Sequence, residues 1–281
     1  MRNIGKYLLS VLPLLVMLMI QVVFSLGISV RYILMYGVEE GGVLYMENVS
    51  GVLALIHGIN LLIMGFWYYL FAIHRKKKAG ASLAGLFDWK CIGYIVMLGF
   101  GAQLLISLLM GAWQLLSPEM MAEYNEMMEE SGIAQISILS ILSTVIFAPV
   151  GEELVFRGLT LEYLKRAGAR FWVANVVQAL FFGIAHMNLI QGSYAFLLGL
   201  LCGYVVLKYD SIAAGIALHL IFNAYGTFVT PVLNLIFGGA DAEWSVLSNI
   251  IYYVVCIVLG GILFVYGLRL VKKDLETKAA E

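Results

Sequence analysis

Two adjacent carboxylates and two imidazoles stand out in this chain because long stretches without charged residues surround them. Glu152 and Glu153 end one such stretch, and His186 and His219 lie inside two later ones. Ionisable groups at membrane depth are costly to bury and usually serve a function. A carboxylate shielded from water is a better base than one in solution, which suits general-base catalysis. These residue types therefore indicate acid–base chemistry within an apolar environment.

Helical spacing separates the roles of these polar groups. Glu153 and Arg157 stand four residues apart, so they share one helix face and can form an ion pair. Glu152 is rotated by about 100° from Glu153 and points elsewhere. His219 and Asn223 are also four residues apart and project from one face as neighbours. The sequence therefore predicts one carboxylate held in a structural ion pair and one left for chemistry.

The predicted depths of these side chains are compatible with a single cavity. If the fourth helix runs on to about Lys165, Glu152 lies roughly 20 Å from its inner end. His186 lies roughly 21 Å along its helix, and His219 and Asn223 lie roughly 12 and 18 Å along theirs. Helix tilts of about 20° remove differences of this size.

The composition predicts that lipid, not water, surrounds most of the chain. Hydrophobic residues make up 62% of the 281 residues and charged residues only 12%, whereas soluble domains carry about 25% charge. A spanning helix needs roughly 20 apolar residues. The run Phe171–Leu207 is long enough for two short spans, joined by a polar turn at Asn188–Ser193. The runs without Asp, Glu, Lys or Arg are Tyr7–Val30, Asn48–His74, Cys91–Pro118, Ser131–Gly151, Phe171–Leu207, Ser211–Ala240 and Trp244–Leu268. We therefore predict an all-α polytopic membrane protein with about eight transmembrane helices and an intramembrane catalytic cavity.

The charge distribution predicts the orientation in the membrane. When eight helices are threaded with the N-terminus inside, every basic residue except Arg31 falls on the inner side or its margin. Glutamates collect in the opposite loops at 37–48 and 117–131. Because basic residues mark cytoplasmic loops, we expect a multi-pass protein of the cell membrane with both termini cytoplasmic. The first apolar run is about twice the length of a signal-peptide core, so we expect it to stay as an uncleaved span.

Polar groups at membrane depth divide the chain unevenly. Residues 1–131 form a predicted N-terminal three-helix region, and residues 132–270 form a core that holds nearly all of these groups. Residues 271–281 form a predicted cytoplasmic tail. We expect these parts to fold as one integrated domain.

Three short motifs fall on the predicted helices in a fixed order. Glu152–Arg157 fits EExxxR, Phe182–His186 fits FxxxH, and His219–Asn223 fits HxxxN. Each motif alone is weak, but the three together resemble the CAAX protease and bacteriocin-processing family, also known as type II CAAX prenyl endopeptidases. The resemblance covers roughly residues 130–235, and the first three spans carry no assignable motif.

This resemblance implies an intramembrane endopeptidase that hydrolyses membrane-associated peptides or protein tails. Glu152 would be the base that activates water, and His186 would help to hold that water. His219 and Asn223 would stabilise the oxyanion. Three further residues would support the site: Glu153, Arg157 and Phe182. The implied partners are a peptide or lipidated protein substrate and the lipid bilayer, with no nucleic acid.

The need for a metal stays open at this level. One carboxylate and two imidazoles, from Glu152, His186 and His219, could hold Zn²⁺ with one open position. The resemblance also fits a metal-free mechanism in which the glutamate acts directly on water, and we favour that interpretation. No HExxH motif is present, so the zinc-binding helix of the common metalloproteases is excluded.

Two other classes of function compete with the protease hypothesis. The same cavity could belong to a non-catalytic bacteriocin-immunity or peptide-binding protein, although a pure binder has no need of base and oxyanion groups together. A transporter is the third class. Transporters often repeat broken helices in both halves, whereas the polar groups of this chain cluster in one half.

Overall fold

The computed structural model describes residues 4–74, 77, 87–130, 137–238 and 245–280. Over these residues the chain is helical and contains no strand. The sequence also predicts a basic cytoplasmic loop at residues 75–82, which lies, apart from Lys77, outside the described residues. The helices are α1 Ile4–Tyr36, α2 Val38–Glu47, α3 Val49–Ile73, α4 Trp89–Leu116, α5 Pro118–Glu130, α6 Ile138–Arg166, α7 Phe171–Ala185, α8 Leu189–Tyr209, α9 Ile212–Leu233 and α10 Val246–Ala279.

The predicted fold class is confirmed. Among the described residues, 7 helices are long and apolar enough to cross a membrane, and α7 is a shorter apolar helix. With α7 the total reaches the predicted eight, and the chain is a multi-pass membrane protein. At 15 residues, α7 is only about 22 Å long, which is shorter than the hydrocarbon core of about 30 Å.

The predicted loops at 37–48 and 117–131 contain helices. Gly37 has φ 85°, a left-handed conformation that glycine adopts without strain, and it separates α1 from α2. Pro118 begins α5 at a position where its missing N–H costs nothing. Both helices are rich in glutamate and have no long apolar stretch, so a search for apolar runs does not detect them.

The contacts between helices group the chain into two units. The first contains residues 1–83 and 123–204, and the second contains residues 84–122 and 205–281. The predicted division at residue 131 stays a prediction.

In the first unit, α3 packs against the part of α6 that carries the adjacent glutamates. The Nδ1 atom of His57 lies 2.8 Å from the Oγ of Ser143. One turn further on, a Cβ placed on Gly151 would stand 3.3 Å from the Asn60 amide nitrogen. His57 and Asn60 therefore both lie on the face of α3 that meets α6.

Helix α6 is not a regular α-helix. It contains two π-helical segments, Leu142–Phe147 and Leu154–Thr160, on either side of the α-helical segment Ala148–Glu153. Pro149 cannot donate a backbone hydrogen bond to the preceding turn, so the regular pattern is interrupted close to it. Such π segments are rare and frequently mark functional sites. The prediction that the fourth helix continues to about Lys165 is confirmed.

Helices α7 and α8 form an antiparallel hairpin fastened by amide side chains. Asn175 Nδ2 donates to the carbonyl of Leu200 at 3.0 Å, and Gln178 Nε2 donates to the carbonyl of Gly199 at 2.9 Å. Asn175 and Gln178 are fully buried. Because buried amides must be hydrogen-bonded, these contacts fix the register of the hairpin.

The turn of this hairpin differs from the prediction. It lies at His186–Asn188, and Leu189 already begins α8. The Asn188 side chain accepts a hydrogen bond from the backbone N–H of Gln191 at 2.9 Å, so it caps the helix. Gly192 belongs to the helix, where a Cβ would lie 2.9 Å from the carbonyl oxygen of Gly183. This residue permits a close helix crossing, and not the predicted turn.

The second unit is built on α4, which packs against α9 and α10. A Cβ on Gly101 would stand 2.5 Å from the backbone nitrogen of Phe264, so α4 and α10 touch through their backbones. Small residues at such crossings are typical of membrane helices. A hydrogen bond of 2.9 Å from the hydroxyl of Tyr252 to Ser107 adds a polar contact.

A polar cluster joins the start of α4 to the end of α10. The Lys278 ammonium lies 3.1 Å from an Asp88 oxygen and 3.0 Å from an Asp274 oxygen. The hydrogen bond from Lys278 holds the pKa of the Asp88 carboxyl below its ordinary value. A depressed carboxyl pKa stabilises the fold only while the group is ionised, so this contribution is lost as the pH falls through that value.

The Gly203→Ala substitution tests the register of the α7–α8 hairpin. A Cβ at this position would collide with the side chains of Asn175 and Gln178. We expect an overpacking cost of about 1–3 kcal/mol and an apparent melting temperature several degrees lower in detergent. Gly27→Ala is the matched control, because nothing lies within 4 Å of its Cβ and alanine favours a helix. Equal melting temperatures for the two variants would contradict the register.

Candidate functional site

The predicted ion pair between Glu153 and Arg157 is present and fully buried. A guanidinium nitrogen of Arg157 lies 2.9 Å from a Glu153 oxygen, and both side chains are 0% exposed. No guanidinium nitrogen of Arg157 has hydrogen-bond geometry with another described residue, so the contact is a charge pair more than a directed hydrogen bond. Neither charge could be buried alone, because isolated ions are very costly in an apolar interior.

Two aromatic rings pack against the guanidinium group of Arg157. The Cζ atom of Arg157 lies 4.5 Å from the centre of the Phe182 ring and 5.9 Å from that of Phe156. The two rings contact each other with centroids 5.1 Å apart. A cation over an aromatic face is attracted by the negative charge of that face. The first residue of the FxxxH motif therefore packs directly on the last residue of the EExxxR motif.

The same phenylalanine also positions His186. The rings of Phe182 and His186 pack edge to face, with centroids 4.9 Å apart and an angle of 79°. His186 Nδ1 lies 2.8 Å from the carbonyl oxygen of Phe182. A carbonyl can only accept, so Nδ1 carries the proton and Nε2 of the neutral ring is an acceptor. His186 is thus fixed in a tautomer whose other nitrogen can accept a hydrogen bond from water.

The position of His186 on its helix differs from the prediction. We expected it inside the fifth span, but it follows Ala185 as the C-terminal cap of α7, and its backbone N–H donates to the Gly183 carbonyl at 3.3 Å. The next residue, Met187, has φ 52°, a conformation uncommon for a residue with a side chain. Both features place the imidazole at a sharp turn.

The two adjacent glutamates lie in different surroundings. Glu153 is fully buried, whereas Glu152 is half-buried. Glu152 lies within electrostatic range of His57 on α3 and Tyr194 on α8. Adjacent carboxyl groups held in unlike environments are the usual basis for assigning them different roles.

Tyr194 is a neighbour of this carboxylate that the sequence did not predict. Its hydroxyl lies 3.2 Å from that of Tyr124 on α5. Tyr124 is buried, and this burial raises the pKa of its hydroxyl. A tyrosine in an apolar run gives no signal by itself, because its ring is as common in packing as in chemistry. His57 did give a signal, since it is an ionisable residue at membrane depth.

The HxxxN motif lies in the second unit, on helix α9. His219 is buried and Asn223 is half-buried, and both fall in the α-helical part Ile212–Ala224. A π-helical segment, Tyr225–Val229, begins two residues after Asn223. At a spacing of four residues within an α-helix, the two side chains share one face.

The first unit therefore links two of the three motifs through direct side-chain contacts. Glu153, Arg157, Phe182 and His186 form a continuous chain of contacts. Glu152 adjoins that chain on α6. This arrangement offers a carboxylate and an imidazole acceptor supported by a rigid, buried scaffold.

Comparison with known proteins identifies the segment that contains these motifs. Residues 134–225 match a family described as type II CAAX prenyl endopeptidase Rce1-like. All the predicted site residues, from Glu152 to Asn223, lie within that segment. No curated protein and no solved structure matches the chain. The predicted resemblance to this family is confirmed over residues 134–225, and the match supports an intramembrane protease of the CAAX type in general.

The buried ion pair makes a prediction about stability. Arg157→Met leaves the Glu153 carboxylate buried without its partner, which we expect to cost about 3–5 kcal/mol. The double variant Glu153→Met, Arg157→Met removes both charges and should be more stable than Arg157→Met alone. Apparent melting temperatures of the purified proteins in detergent check this.

An exposed ion pair of the same spacing supplies the control. Lys272 and Glu276 lie 3.8 Å apart with side chains 75% and 67% exposed, so Lys272→Met should cost at most about 1 kcal/mol. The single variant Glu153→Met completes the comparison. If the double variant loses as much stability as the two single variants together, the two charges are not coupled and the interpretation is wrong.

Proposed function

We propose, from the membership of residues 134–225 in the type II CAAX prenyl endopeptidase family, that this protein hydrolyses peptide bonds with a water molecule activated by Glu152. Its substrates are membrane-associated peptides or lipidated protein tails. The observation that carries the proposal is the unequal environment of the two adjacent glutamates within the matched segment. Glu153 is committed to Arg157, and Glu152 is not part of that pair.

The proposed reaction begins with proton transfer from water to the Glu152 carboxylate. The oxygen of that water attacks the carbonyl carbon of the scissile bond, and a tetrahedral oxyanion forms. The same carboxyl group then gives its proton to the leaving amine as the carbon–nitrogen bond breaks. One carboxyl group can serve as the base in the first step and as the acid in the second, because it takes up the proton that it later gives away.

His186 positions the attacking water in this proposal. With Nδ1 committed to the Phe182 carbonyl, Nε2 accepts one hydrogen of the water and directs an oxygen lone pair toward the substrate. The edge-to-face packing on Phe182 restricts rotation of the ring. Preorganised groups of this kind reduce the entropy lost on reaching the transition state.

His219 and Asn223 stabilise the oxyanion in this proposal. An asparagine amide and a histidine N–H are both donors, and the helix spacing presents them side by side. Each donor directed at a developing oxyanion is worth about 3–4 kcal/mol. The roles of all four residues in one reaction are tested by mutagenesis.

We propose that the reaction needs no metal ion. The donor set itself fits either mechanism, because a carboxylate and an unprotonated imidazole nitrogen can bind zinc as well as water. If zinc were bound, Glu152, His186 and His219 would hold it, and it would supply Lewis-acid activation of water. Asn223 shares a helix face with His219. Because asparagine is a poor zinc ligand but a good hydrogen-bond donor, this neighbour favours oxyanion binding.

We also propose that both termini lie in the cytoplasm. Basic residues occur at the start of α1, at the end of α6 and at the end of α10. When the spans are threaded in chain order with α7 included, all of them fall on the same side of the membrane. This distribution agrees with the positive-inside rule.

Glu152→Gln is the decisive variant for the proposed base. The amide cannot accept the proton of water, so we expect cleavage of a lipidated peptide substrate in proteoliposomes to fall below detection, at least 10³-fold. Membrane insertion and melting temperature should stay close to those of the parent protein. Glu162→Gln is the matched control, because Glu162 lies on the same helix and pairs with Arg166 near the surface. We expect it to retain activity.

A fully active Glu152→Gln variant would end the proposal that this residue is the base. An inactive parent protein that still binds the peptide would instead support a peptide-binding function.

The oxyanion and zinc mechanisms differ in what Asn223→Ala and His219→Ala do. For oxyanion binding we expect each variant to lower kcat by about 10²–10³-fold with little change in KM. Elemental analysis of the purified active protein should then find no stoichiometric zinc, and chelators should leave activity intact. Zinc at one equivalent, lost together with activity in His219→Ala but kept in Asn223→Ala, would overturn the metal-free mechanism.

A further inference from the structure

A groove between α1 and α3 lies outside the machinery proposed above. It has a volume of about 350 Å³ and is lined by residues from the C-terminal end of α1 and the N-terminal end of α3. This volume falls within the range of sites that bind small molecules. The lining residues belong to the first unit and include none of the proposed catalytic residues.

The polarity of the lining changes along the helix axes. Arg31, Tyr36 and Asn48 line the groove near the ends of the helices, where Tyr36 is the last residue of α1 and Asn48 precedes α3. Leu55 lines it two turns after Asn48, and Ile28 lines it just under one turn before Arg31. Tyrosine and arginine near helix ends are typical of the membrane interface. The groove therefore has a polar mouth at the interface and an apolar floor toward the bilayer core.

The basic residue at this mouth, Arg31, has no ion-pair partner among the described residues. Arg31 is exposed, and among the described residues no carboxylate lies within ion-pair distance of it. The glutamates of the neighbouring helix α2 do not line the groove. An arginine without a carboxylate partner presents five donors in a planar fork that matches a phosphate group.

The wall of the groove is held in place by contacts of its own. The hydroxyl of Tyr45 on α2 lies 2.9 Å from the Ser25 hydroxyl on α1. The rings of Tyr32 and Tyr45 also pack edge to face, with centroids 6.1 Å apart. These contacts fasten α2 along α1 and restrain the ring of Tyr32, which lines the groove.

We infer that this groove binds an anionic glycerophospholipid of the surrounding leaflet. The phosphate pairs with Arg31 at the mouth, and an acyl chain lies along Ile28 and Leu55. A free anion would use only the polar end, and a zwitterionic lipid would bring a second positive charge toward the arginine. An anionic phospholipid alone matches both the polarity gradient and the unpaired charge. This inference does not depend on the proposed protease activity.

Native mass spectrometry of the full-length protein in detergent tests the inference. The probes are phosphatidylglycerol and phosphatidylcholine with identical acyl chains. We expect the parent protein to retain phosphatidylglycerol about fivefold better, because one basic residue at a membrane surface contributes roughly that factor. Arg31→Gln should abolish this preference, and Arg31→Lys should keep part of it.

Two controls make the result specific to the groove. Arg269→Gln removes an exposed arginine from α10 and should leave the preference intact. Ile28→Trp fills the apolar floor and should weaken retention of both lipids. An excess of glycerol phosphate should fail to displace phosphatidylglycerol, since it lacks the acyl chain. If Arg31→Gln keeps the parent preference, if the parent shows none, or if glycerol phosphate competes fully, the inference is wrong.

Discussion

The buried ion pair between Glu153 and Arg157 is the constraint on which the rest of the candidate site depends. Two full charges are removed from solvent on one helix face, and each is tolerated only because the other is present. The arginine then needs polarisable neighbours, and the rings of Phe156 and Phe182 provide them. Phe182 also packs against His186. The imidazole on α7 is therefore positioned by the same ring that packs on the Arg157 guanidinium of α6.

This arrangement also explains how two identical residues in succession can have unlike roles. The pair fixes the rotation of α6 about its axis, because Glu153 must face Arg157 and the aromatic rings. Glu152 is then turned toward another part of the first unit, near His57 and Tyr194. A change that loosened the pair would thus alter the direction of the neighbouring carboxylate as well as the stability of the fold.

Periodicity made much of this predictable from the sequence. The spacing of Glu153 and Arg157 defined their contact, because residues four apart on a helix must be neighbours. The apolar runs predicted the number of apolar membrane helices, since hydrocarbon requires backbone groups to be bonded within each span. The ends of elements were less predictable. Gly192 looked like part of a turn, but its role depends on the distance between two helices, which the sequence does not contain.

Neighbours from distant parts of the chain were the other gap. Tyr194 lies near Glu152 only because α8 folds back along α7, and that register is fixed by the buried amides of Asn175 and Gln178. The glutamate-rich helices α2 and α5 were missed for a different reason. Gly37 and Pro118 mark where they begin, and few of their residues are buried, Tyr124 among them. An average over apolar residues does not detect such features.

The shortness of α7 has a consequence for the bilayer itself. A helix of about 22 Å cannot reach both boundaries of a hydrocarbon layer of about 30 Å, so the membrane around it must thin or admit water on one side. The backbone at His186–Asn188 leaves the helix there, and irregular backbone at such depth persists only against protein or a wet cavity. A depression in the lipid surface beside α7 would shorten the path by which bulk water reaches a hydrolytic centre. The local thickness of the bilayer would then influence how readily water, the second substrate of a hydrolysis, enters the site.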